Sequence, residues 1–300
     1  MKIGANDITD LKIGTTEINE VRLGSVLVWE RNSYLLDLYP ATAAYSLRKL
    51  RSAYTGSAIR VRRSLDNTEQ DIGFLGDELD TVSLLSFVGV GNGFVSVWYD
   101  QSGNNRNAIN TSATNQPQIV SNGLVEITNL KPSIKWINSQ QMRLFNNFGL
   151  IAQPTSYFTV SKLDQSTGIN ASTIFDSYNN VQHILYNSGN SENPSNVFIC
   201  TAGTQQAVRI LQNGNVDVNY FNGVLNSANS QIYNHNTLLT SGNLGLNGMN
   251  GISIGHIRGN PAPISSFYNM AGTIQEIIIY GSNQNVNREN ISNNIYSYYN

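Results

Sequence analysis

The segment "YDQSGNNRN", residues 99–107, concentrates a carboxylate and amide oxygens in a few positions. Asp100, Asn104 and Asn105 carry hard oxygen atoms, the ligands that Ca²⁺ prefers, and such groups also bind sugar hydroxyls. A calcium site requires about six oxygens and several charges. One Asp before Ser-Gly instead forms an Asx turn that fixes a tight loop. The sequence favours the turn, with a calcium or ligand site as the alternative.

Other reactive groups are isolated along the chain. His183, His235 and His256 lie far from each other and from any carboxylate, a pattern typical of ordinary polar histidines. The sequence contains no HExxH, CxxC or GxSxG motif and no phosphate-binding glycine loop. Cys200 is the single cysteine and lies in the apolar run "NVFICTAG", which predicts a small buried side chain. We predict no metal and no cofactor, the calcium alternative apart.

Composition limits the partners that the protein can have. The 300 residues carry a net charge of −2 and only 13% are charged, which argues against a nucleic acid or an acidic membrane as the main partner. No apolar run has the roughly 18 residues of a membrane span. Asn is abundant and the 15 Tyr outnumber the 10 Phe, a mixture typical of loop-rich β-proteins.

The first 24 residues repeat themselves in steps of ten. Lys2-Ile3-Gly4 recurs as Lys12-Ile13-Gly14 and as Arg22-Leu23-Gly24, and each unit reads as a short strand, a turn at the glycine and a second strand. Such small units gain a core only by packing on each other or on another chain. We predict a docking or assembly module over residues 1–30 and a second domain over 31–300. The alternative is that these are the first strands of the main domain. Acidic residues interrupt every candidate secretory signal.

The remaining sequence predicts few helices and many strands. One helix is expected at Ala41–Ala53, with Arg48, Lys49 and Arg51 facing outward, and a second at Glu78–Phe87. Arg60, Arg62 and Arg63 precede Asp66, Glu69 and Asp71, which indicates a salt-bridged connection. Strands are predicted in the segments "GFVSVWYD", "PSIKWI", "SYFTVSKL", "STIFDSY", "HILYN", "NVFICT", "AVRILQ", "GISIGHI" and "GTIQEIIIYG".

Several of these stretches carry a family resemblance. Residues 43–74, "AAYSLRKLRSAYTGSAIRVRRSLDNTEQDIGF", and 97–108, "VWYDQSGNNRNA", resemble the opening of the catalytic domain of the α-L-arabinofuranosidase B family. Residues 271–299 are similar to the closing strand and terminal helix of concanavalin A-like, laminin-G-like jelly rolls. The resemblance implies an all-β fold, a concanavalin A-like jelly-roll sandwich with one or two short helices. The opening residues resemble the N-termini of bacteriophage tail and virion-appendage proteins.

The resemblance also identifies where catalytic groups should lie. A retaining glycosidase needs two carboxyl groups about 5–5.5 Å apart. The family's nucleophile closes a strand that corresponds to "IFDSYNNVQ", residues 174–182, where the Glu position falls on Val181 or a neighbouring Asn or Gln. The general-acid loop corresponds to a segment with His256 and Arg258 and no acid. We therefore predict no catalytic residues, and the sequence leaves open whether any enzyme activity is present.

The function predicted first is that of a bacteriophage virion structural protein, a spike, head fibre or tail fibre on the virion surface. Residues 1–30 would bind other virion proteins, and the jelly roll would bind a host-surface glycan. Such appendages are homo-oligomers, commonly trimers. The candidate sugar-binding residues are Asp100, Asn104, Asn105, Asp176 and Tyr178. Further sugar contacts could come from Tyr186 and Tyr220 or from the loops near Trp98 and Trp136, although Trp136 is expected in the core.

Two other functions stay open from the sequence. The first is a secreted or virion-borne glycoside hydrolase of arabinofuranosidase type that acts on surface polysaccharide, with Asp176 and either Glu192 or Asp217 as its carboxylate pair. The second is a decoration protein that assembles on particles and binds no sugar.

Overall fold

A computed structural model describes residues 33–137, 142–164, 172–178, 183–187, 196–203, 206–211, 218–256 and 269–300, together with short strands within residues 2–30. Those first strands form three separate antiparallel hairpins, in which β1 (Lys2–Ile3) pairs with β2 (Asn6–Asp7), β3 (Leu11–Ile13) with β4 (Thr16–Ile18), and β5 (Glu20–Leu23) with β6 (Val26–Glu30). The predicted strand–turn–strand units of the repeat are confirmed. Their assignment to a separate module stays a prediction.

The remaining strands are all antiparallel to their neighbours. In chain order they are β7 (Ala43–Ser46), β8 (Ile59–Arg63), β9 (Glu69–Ile72), β10 (Phe74–Leu75), β11 (Glu78–Leu79), β12 (Gly93–Trp98), β13 (Ala108–Ile109), β14 (Gln118–Ser121), β15 (Leu124–Val125), β16 (Ile127–Thr128), β17 (Lys131–Pro132), β18 (Ile134–Ile137), β19 (Leu144–Ile151), β20 (Thr155–Leu163), β21 (Ser172–Asp176), β22 (His183–Asn187), β23 (Asn196–Thr201), β24 (Gln206–Leu211), β25 (Phe221–Leu225), β26 (Ser230–Asn234), β27 (Thr237–Gly242), β28 (Met249–Ile254) and β29 (Ala271–Tyr280). Two small hairpins, β10–β11 and β16–β17, stand apart, and the other 19 strands join in one curled sheet.

The sheet curls so that two groups of its strands pack against each other across a common core. On one side β29 pairs with β20 along one edge and with β18 and β7 along the other, and β20 continues to β25 and β26. On the other side β13, β19, β28, β21 and β22 follow each other. The fully buried side chains between them include Trp98, Trp136, Ile174 and Ile277. This arrangement confirms the predicted all-β, jelly-roll fold.

Three helices complete the described residues: α1 (Leu35–Leu38), α2 (Thr81–Val88) and α3 (Arg288–Tyr299), with 3₁₀ turns at Ala113–Asn115 and Ser227–Asn229. The predicted helix near residues 78–87 is confirmed as α2, whose N-cap Asp80 accepts a 2.9 Å hydrogen bond from the Ser83 N–H. The predicted terminal helix is α3. No helix in the described part of the chain could span a bilayer.

The helix predicted at Ala41–Ala53 is wrong. Residues 43–46 instead form β7, which pairs with residues 276–279 of β29, and the Asp100 carboxylate accepts the Ala44 N–H at 2.8 Å. All four β7 side chains are buried. The apolar spacing matched a helix, but pairing with a distant strand satisfies this backbone and buries both of its faces. Arg48, expected on the surface, is also buried.

Arg48 is buried because it pairs with Glu276 in the middle of β29. Its Nε and Nη2 donate to the two oxygens of the Glu276 carboxylate at 2.9 and 3.1 Å. Ser46 Oγ donates to the same carboxylate at 2.7 Å, and Tyr299 Oη of α3 donates at 3.2 Å. Burial alone would lower the pKa of Arg48, but Glu276 reverses this effect and raises that pKa above its ordinary value. The pair joins β7, β29 and α3.

The predicted salt-bridged connection near β8 is confirmed at two of its three arginines. Arg60 donates two 2.8 Å hydrogen bonds to Asp71, and Arg63 donates to Asp66 at 2.8 and 2.6 Å. Arg62 turns inward instead, where it donates to the Gln116 side chain at 2.7 Å. Arg60 and Arg62 share one face of β8, and Arg62 is the buried one because Asn67 and the Ala113 carbonyl also accept its hydrogen bonds, at 2.8 and 2.9 Å.

Glu276→Gln is expected to destabilise the protein by about 3–5 kcal/mol, since it leaves the buried Arg48 charge uncompensated. Urea unfolding followed by tryptophan fluorescence measures the loss. The matched control is Asp71→Asn in the half-exposed pair with Arg60, with an expected cost below about 1 kcal/mol. The double variant Arg48→Met/Glu276→Leu should recover part of the loss. Equal losses for Glu276→Gln and Asp71→Asn would contradict the central role of the buried pair.

Candidate functional site

An aromatic platform forms where β19, β28 and the end of β21 meet. Phe145 of β19 and Asp176 of β21 both stand opposite Ser253 of β28, which brings Tyr178 beside Phe145. The two rings stack with centroids 5.5 Å apart and an interplanar angle of 20°. Both side chains are half-buried, so part of the stack faces solvent. We call Phe145, Tyr178 and Arg143 the aromatic platform.

Arg143 adds a charged edge to this platform. Its guanidinium lies over the Phe145 ring, 5.1 Å from the centroid, a cation–π arrangement. Burial lowers the pKa of Arg143, and the nearby Tyr178 opposes that shift. Arg143 remains protonated at neutral pH despite the shift, because guanidinium groups ordinarily titrate above pH 12. The platform can therefore combine stacking on an apolar ring with hydrogen bonds from a fixed cation.

The backbone beneath the platform is held by β28. Ser177 Oγ donates to the Asn250 carbonyl at 3.1 Å and accepts the Asn250 N–H at 2.8 Å. Gly251 has a φ of +74°, and a Cβ there would lie 2.6 Å from the Cβ of Tyr178. Only glycine lets β28 pass this close to Tyr178. The ring's position is thus fixed by its neighbours.

Asp176 lies under this platform with no exposed surface, and one of its oxygens accepts the Ser177 N–H at 2.8 Å. Tyr178, by contrast, presents its ring at the surface. Of the two residues predicted from this strand end, Tyr178 is the one that a ligand can reach in this conformation. The sugar-binding role of both stays a prediction.

The loop that carries Asp100 has a structural role, because Asp100 fixes its backbone. The Asp100 carboxylate is buried and accepts the N–H groups of Ala44, Ser102 and Arg106 at 2.8, 2.9 and 3.0 Å, and the Ser102 hydroxyl at 2.7 Å. The bond from Ser102 N–H confirms the predicted Asx turn. Asn104 donates to the Thr42 carbonyl at 3.0 Å, and Asn105 is exposed with a φ of +56°. The geometry favours the turn over a sugar contact at Asp100, and the sugar-binding predictions for all three residues remain untested.

The loop and the platform contact different parts of the sheet. Asp100 and Asn104 hold the chain around β7, whereas Asp176 and Tyr178 pack on β28 and β19. The two meet at β19, where the Asn146 amide donates to the Asn107 carbonyl at 2.7 Å and Phe145 pairs with Ile109, just after the loop. The predicted residues are thus held by different strands that are joined through β19.

Other sequence predictions divide between the core and undescribed positions. Trp98 and Trp136 are fully buried, so the core assignment of Trp136 is confirmed and neither ring can serve as a surface platform. Cys200 is buried, which confirms the predicted small buried side chain, and burial raises the pKa of its thiol to about 12. Several predicted positions lie outside the described residues, namely Val181, Glu192, Asp217, Arg258 and the side chain of Tyr186.

Among described residues, no cluster of three or more His, Cys, Asp or Glu could hold a metal ion. The calcium alternative stays a prediction.

Sequence analysis missed Phe145 and Arg143. Both belong to the segment "MRLFNNFG", in which Met142 and Leu144 are buried while Arg143 and Phe145 are half-exposed. That alternation was the signal for a strand with an aromatic outer face. The pairing with Tyr178 depends on the register with β28, which a local pattern does not contain.

Comparisons with known proteins agree on the fold. Residues 34–218 match the family model described as "Alpha-L-arabinofuranosidase B, catalytic". A solved α-L-arabinofuranosidase of glycoside hydrolase family 54, soaked with a cyclic sulfate inhibitor, has a TM-score of 0.63 at 14% identity, over 87% of this chain and 63% of that one. An arabinofuranosidase complexed with arabinofuranosyl-alpha-1,2-xylobiose has a TM-score of 0.65 at 15% identity, over 88% of this chain and 64% of that one. This chain thus spans less than two thirds of either structure. A comparison with curated proteins finds no match.

Asp100→Asn is expected to lower the free energy of unfolding by about 2–3 kcal/mol, because an amide nitrogen cannot accept the bonds that one carboxylate oxygen now accepts. Thermal or urea unfolding measures the change. Asn105→Gly is the control, since it keeps the left-handed backbone, and its expected cost is within about 0.5 kcal/mol. Unchanged stability in Asp100→Asn together with lost sugar binding would instead identify Asp100 as a ligand contact.

Proposed function

The chain belongs to the α-L-arabinofuranosidase B catalytic family, and from that premise we propose that it binds a surface glycan through the platform of Phe145, Tyr178 and Arg143. The stack of Phe145 and Tyr178 carries this proposal. Sugar rings present flat C–H faces that pack on aromatic rings, while their hydroxyls accept hydrogen bonds from fixed donors such as a guanidinium. The platform offers both groups side by side.

We propose binding without hydrolysis as the first function. The one described carboxylate at the platform, Asp176, is enclosed, and double displacement requires a second carboxyl group about 5–5.5 Å away. The sequence supports the same choice, because the position of the family's nucleophile aligns with Val181 or a neighbouring Asn or Gln and not with a Glu. A protein that keeps the fold and a stacking surface but lacks the pair acts as a lectin.

The proposed setting is a bacteriophage virion, with the chain as a spike, head fibre or tail fibre. Three separate hairpins at the start of the chain support this setting, since a lone two-stranded hairpin is only marginally stable and gains from packing on a partner. Residues 1–30 would then be the module that binds other virion proteins, and 31–300 the domain that displays the glycan site. A homo-oligomer, such as a trimer, would supply packing surface for the hairpins.

The second candidate is a glycoside hydrolase of arabinofuranosidase type, on a virion or secreted. The family match over residues 34–218 favours it. In that case Asp176 would work with a carboxylate such as Glu192 or Asp217, and the enclosed strand end would have to open to substrate.

Tyr178→Ala is expected to weaken glycan binding about tenfold, the value of one aromatic stack of about 1.4 kcal/mol. Arabinoxylan oligosaccharides and polysaccharide from host cells are the probes, and isothermal titration measures binding while a reducing-sugar assay measures release. Tyr54→Ala is the control, because Tyr54 contacts Phe74 and not the platform. Binding equal to wild type in Tyr178→Ala would contradict the platform. If the wild type releases sugar and Asp176→Asn does not, the result favours the hydrolase. If neither the wild type nor Asp176→Asn releases sugar, the result favours the lectin.

Val28→Asp is expected to convert a full-chain oligomer into monomers, because it places a charge in the apolar segment "SVLVW" that must pack on a partner. Light scattering gives the mass of both proteins, and circular dichroism checks that the variant remains folded. Glu17→Gln, in the polar part of the repeat, is the control. A monomeric wild-type chain would contradict the assembly role of residues 1–30.

A further inference from the structure

A pocket separate from the platform lies between α1, α3 and the residues that follow β7 and precede β11. Its volume is about 260 Å³, slightly below the range of about 300–1,000 Å³ typical of drug-sized ligands, so it suits a small molecule. None of the platform residues lines it. The lining side chains that carry a charge or an aromatic ring are Tyr34, Arg48, Lys49, Asp77, Glu78 and Tyr298.

Two of the four charged side chains in this pocket are already neutralised by the fold. Arg48 forms the buried pair with Glu276, and the Glu78 carboxylate accepts hydrogen bonds from Lys131 at 2.9 Å and from the Tyr298 hydroxyl. The charged groups of Arg48 and Lys131 lie 4.7 and 4.1 Å from the centroid of the Tyr298 ring. These contacts fix one wall of the pocket and balance its charge.

Lys49 and Asp77 are the other two charged groups, and they form an open pair. Neither has an ion-pair partner among the described residues. They stand opposite each other beside the bridge of Arg48 with Glu78, where the Lys49 N–H donates to the Asp77 carbonyl at 2.8 Å. Opposite charges at such positions ordinarily pair, because their Cβ atoms are only about 5 Å apart. Here the two side chains do not close on each other.

Tyr34 holds both members of this open pair. Its hydroxyl donates to Asp77 Oδ1 at 2.5 Å, and Lys49 Nζ lies 5.3 Å from the centroid of its ring, a cation–π arrangement. The hydrogen bond to Asp77 raises the pKa of Tyr34 to about 12, so the hydroxyl keeps its proton at neutral pH. The tyrosine therefore gives the ammonium and the carboxylate separate, fixed positions. Lys49 keeps its N–H donors for a ligand, and Asp77 keeps its second oxygen.

We propose that this pocket binds a small zwitterion, a free α-amino acid, with the ligand carboxylate on Lys49 and the ligand ammonium on Asp77. An anion without an ammonium group would meet the Asp77 carboxylate beside Lys49, and a cation without a carboxylate would meet Lys49 beside Asp77. An amino acid satisfies both groups at once, and the rings of Tyr34 and Tyr298 supply apolar surface for its side chain. This site does not depend on the glycan platform and goes beyond the proposed function.

Saturation-transfer NMR on the full chain tests the pocket. The zwitterionic probes are glycine, L-alanine and L-phenylalanine, and acetate and methylammonium are probes that carry only one of the two charges. The amino acids should show saturation transfer. Acetate and methylammonium should bind at least about tenfold more weakly than L-alanine, because each lacks one charge-assisted hydrogen bond.

Two variants remove one charge each from the protein. Lys49→Met and Asp77→Asn should each weaken binding of L-alanine about three- to tenfold. Asp77→Asn retains an oxygen that can accept the Tyr34 hydroxyl, so it removes the charge and keeps the contact that positions the ring. Asp71→Asn is the matched control, because Asp71 pairs with Arg60 outside the pocket, and it should bind L-alanine as the wild type does. Circular dichroism checks that each variant is folded.

Three results would overturn the proposal. They are saturation transfer to none of the three amino acids, equal affinity for L-alanine and acetate, or wild-type affinity for L-alanine in either Lys49→Met or Asp77→Asn. None of these measurements uses a glycan, and no residue of the platform is changed. This proposal and the proposed function can therefore fail separately.

Discussion

The bidentate pair between Arg48 and Glu276 is the interaction on which this fold depends most. Glu276 has no exposed surface and lies within β29, the strand that pairs with β18, β20 and β7. Removing a carboxylate from water costs several kcal/mol unless a cation and further donors satisfy it. Ser46 and Arg48 supply donors from one part of the chain, and Tyr299 supplies another from the terminal helix α3. The native charge arrangement is complete only when β7, β29 and α3 have all packed.

This constraint extends to the surfaces that can bind a ligand. The Asp100 loop accepts the N–H of Ala44, so it is fixed to the same strand that leads to Arg48. Through Asn107 and Asn146 that loop also touches β19, whose outer face carries Phe145. On the other side, Asn129 donates a hydrogen bond to the carbonyl of Tyr299, which joins the β16–β17 turn to the end of α3. The platform is therefore carried on rigid elements, as precise recognition requires.

The sequence was informative wherever a local pattern decides the structure. The segment "SYFTVSKL" predicts β20 from its alternation, and acids followed by apolar spacing predict α2. Asp100 before Ser-Gly predicts the Asx turn. It failed where a distant partner decides. No residue near Arg48 indicates that its side chain pairs with a carboxylate 228 positions away in the core. Nor does the local pattern, which has helical spacing, indicate the strand β7. The same limit explains the platform, because Phe145 and Tyr178 meet only through the register of β19 and β21 against β28.

The distribution of charge connects the fold to the proposed chemistry. Five described ion pairs, at Arg48, Arg60, Arg63, Lys131 and Lys135, match basic side chains with acids of the same chain. Charges satisfied internally contribute little to the recognition of a charged partner, and only 13% of the chain is charged at all. The platform presents two aromatic rings and one guanidinium, that of Arg143. The rings stack on the flat face of a ligand ring, and the guanidinium donates hydrogen bonds to its hydroxyls, so the shape of the ring and the placement of its hydroxyls decide which ligand fits.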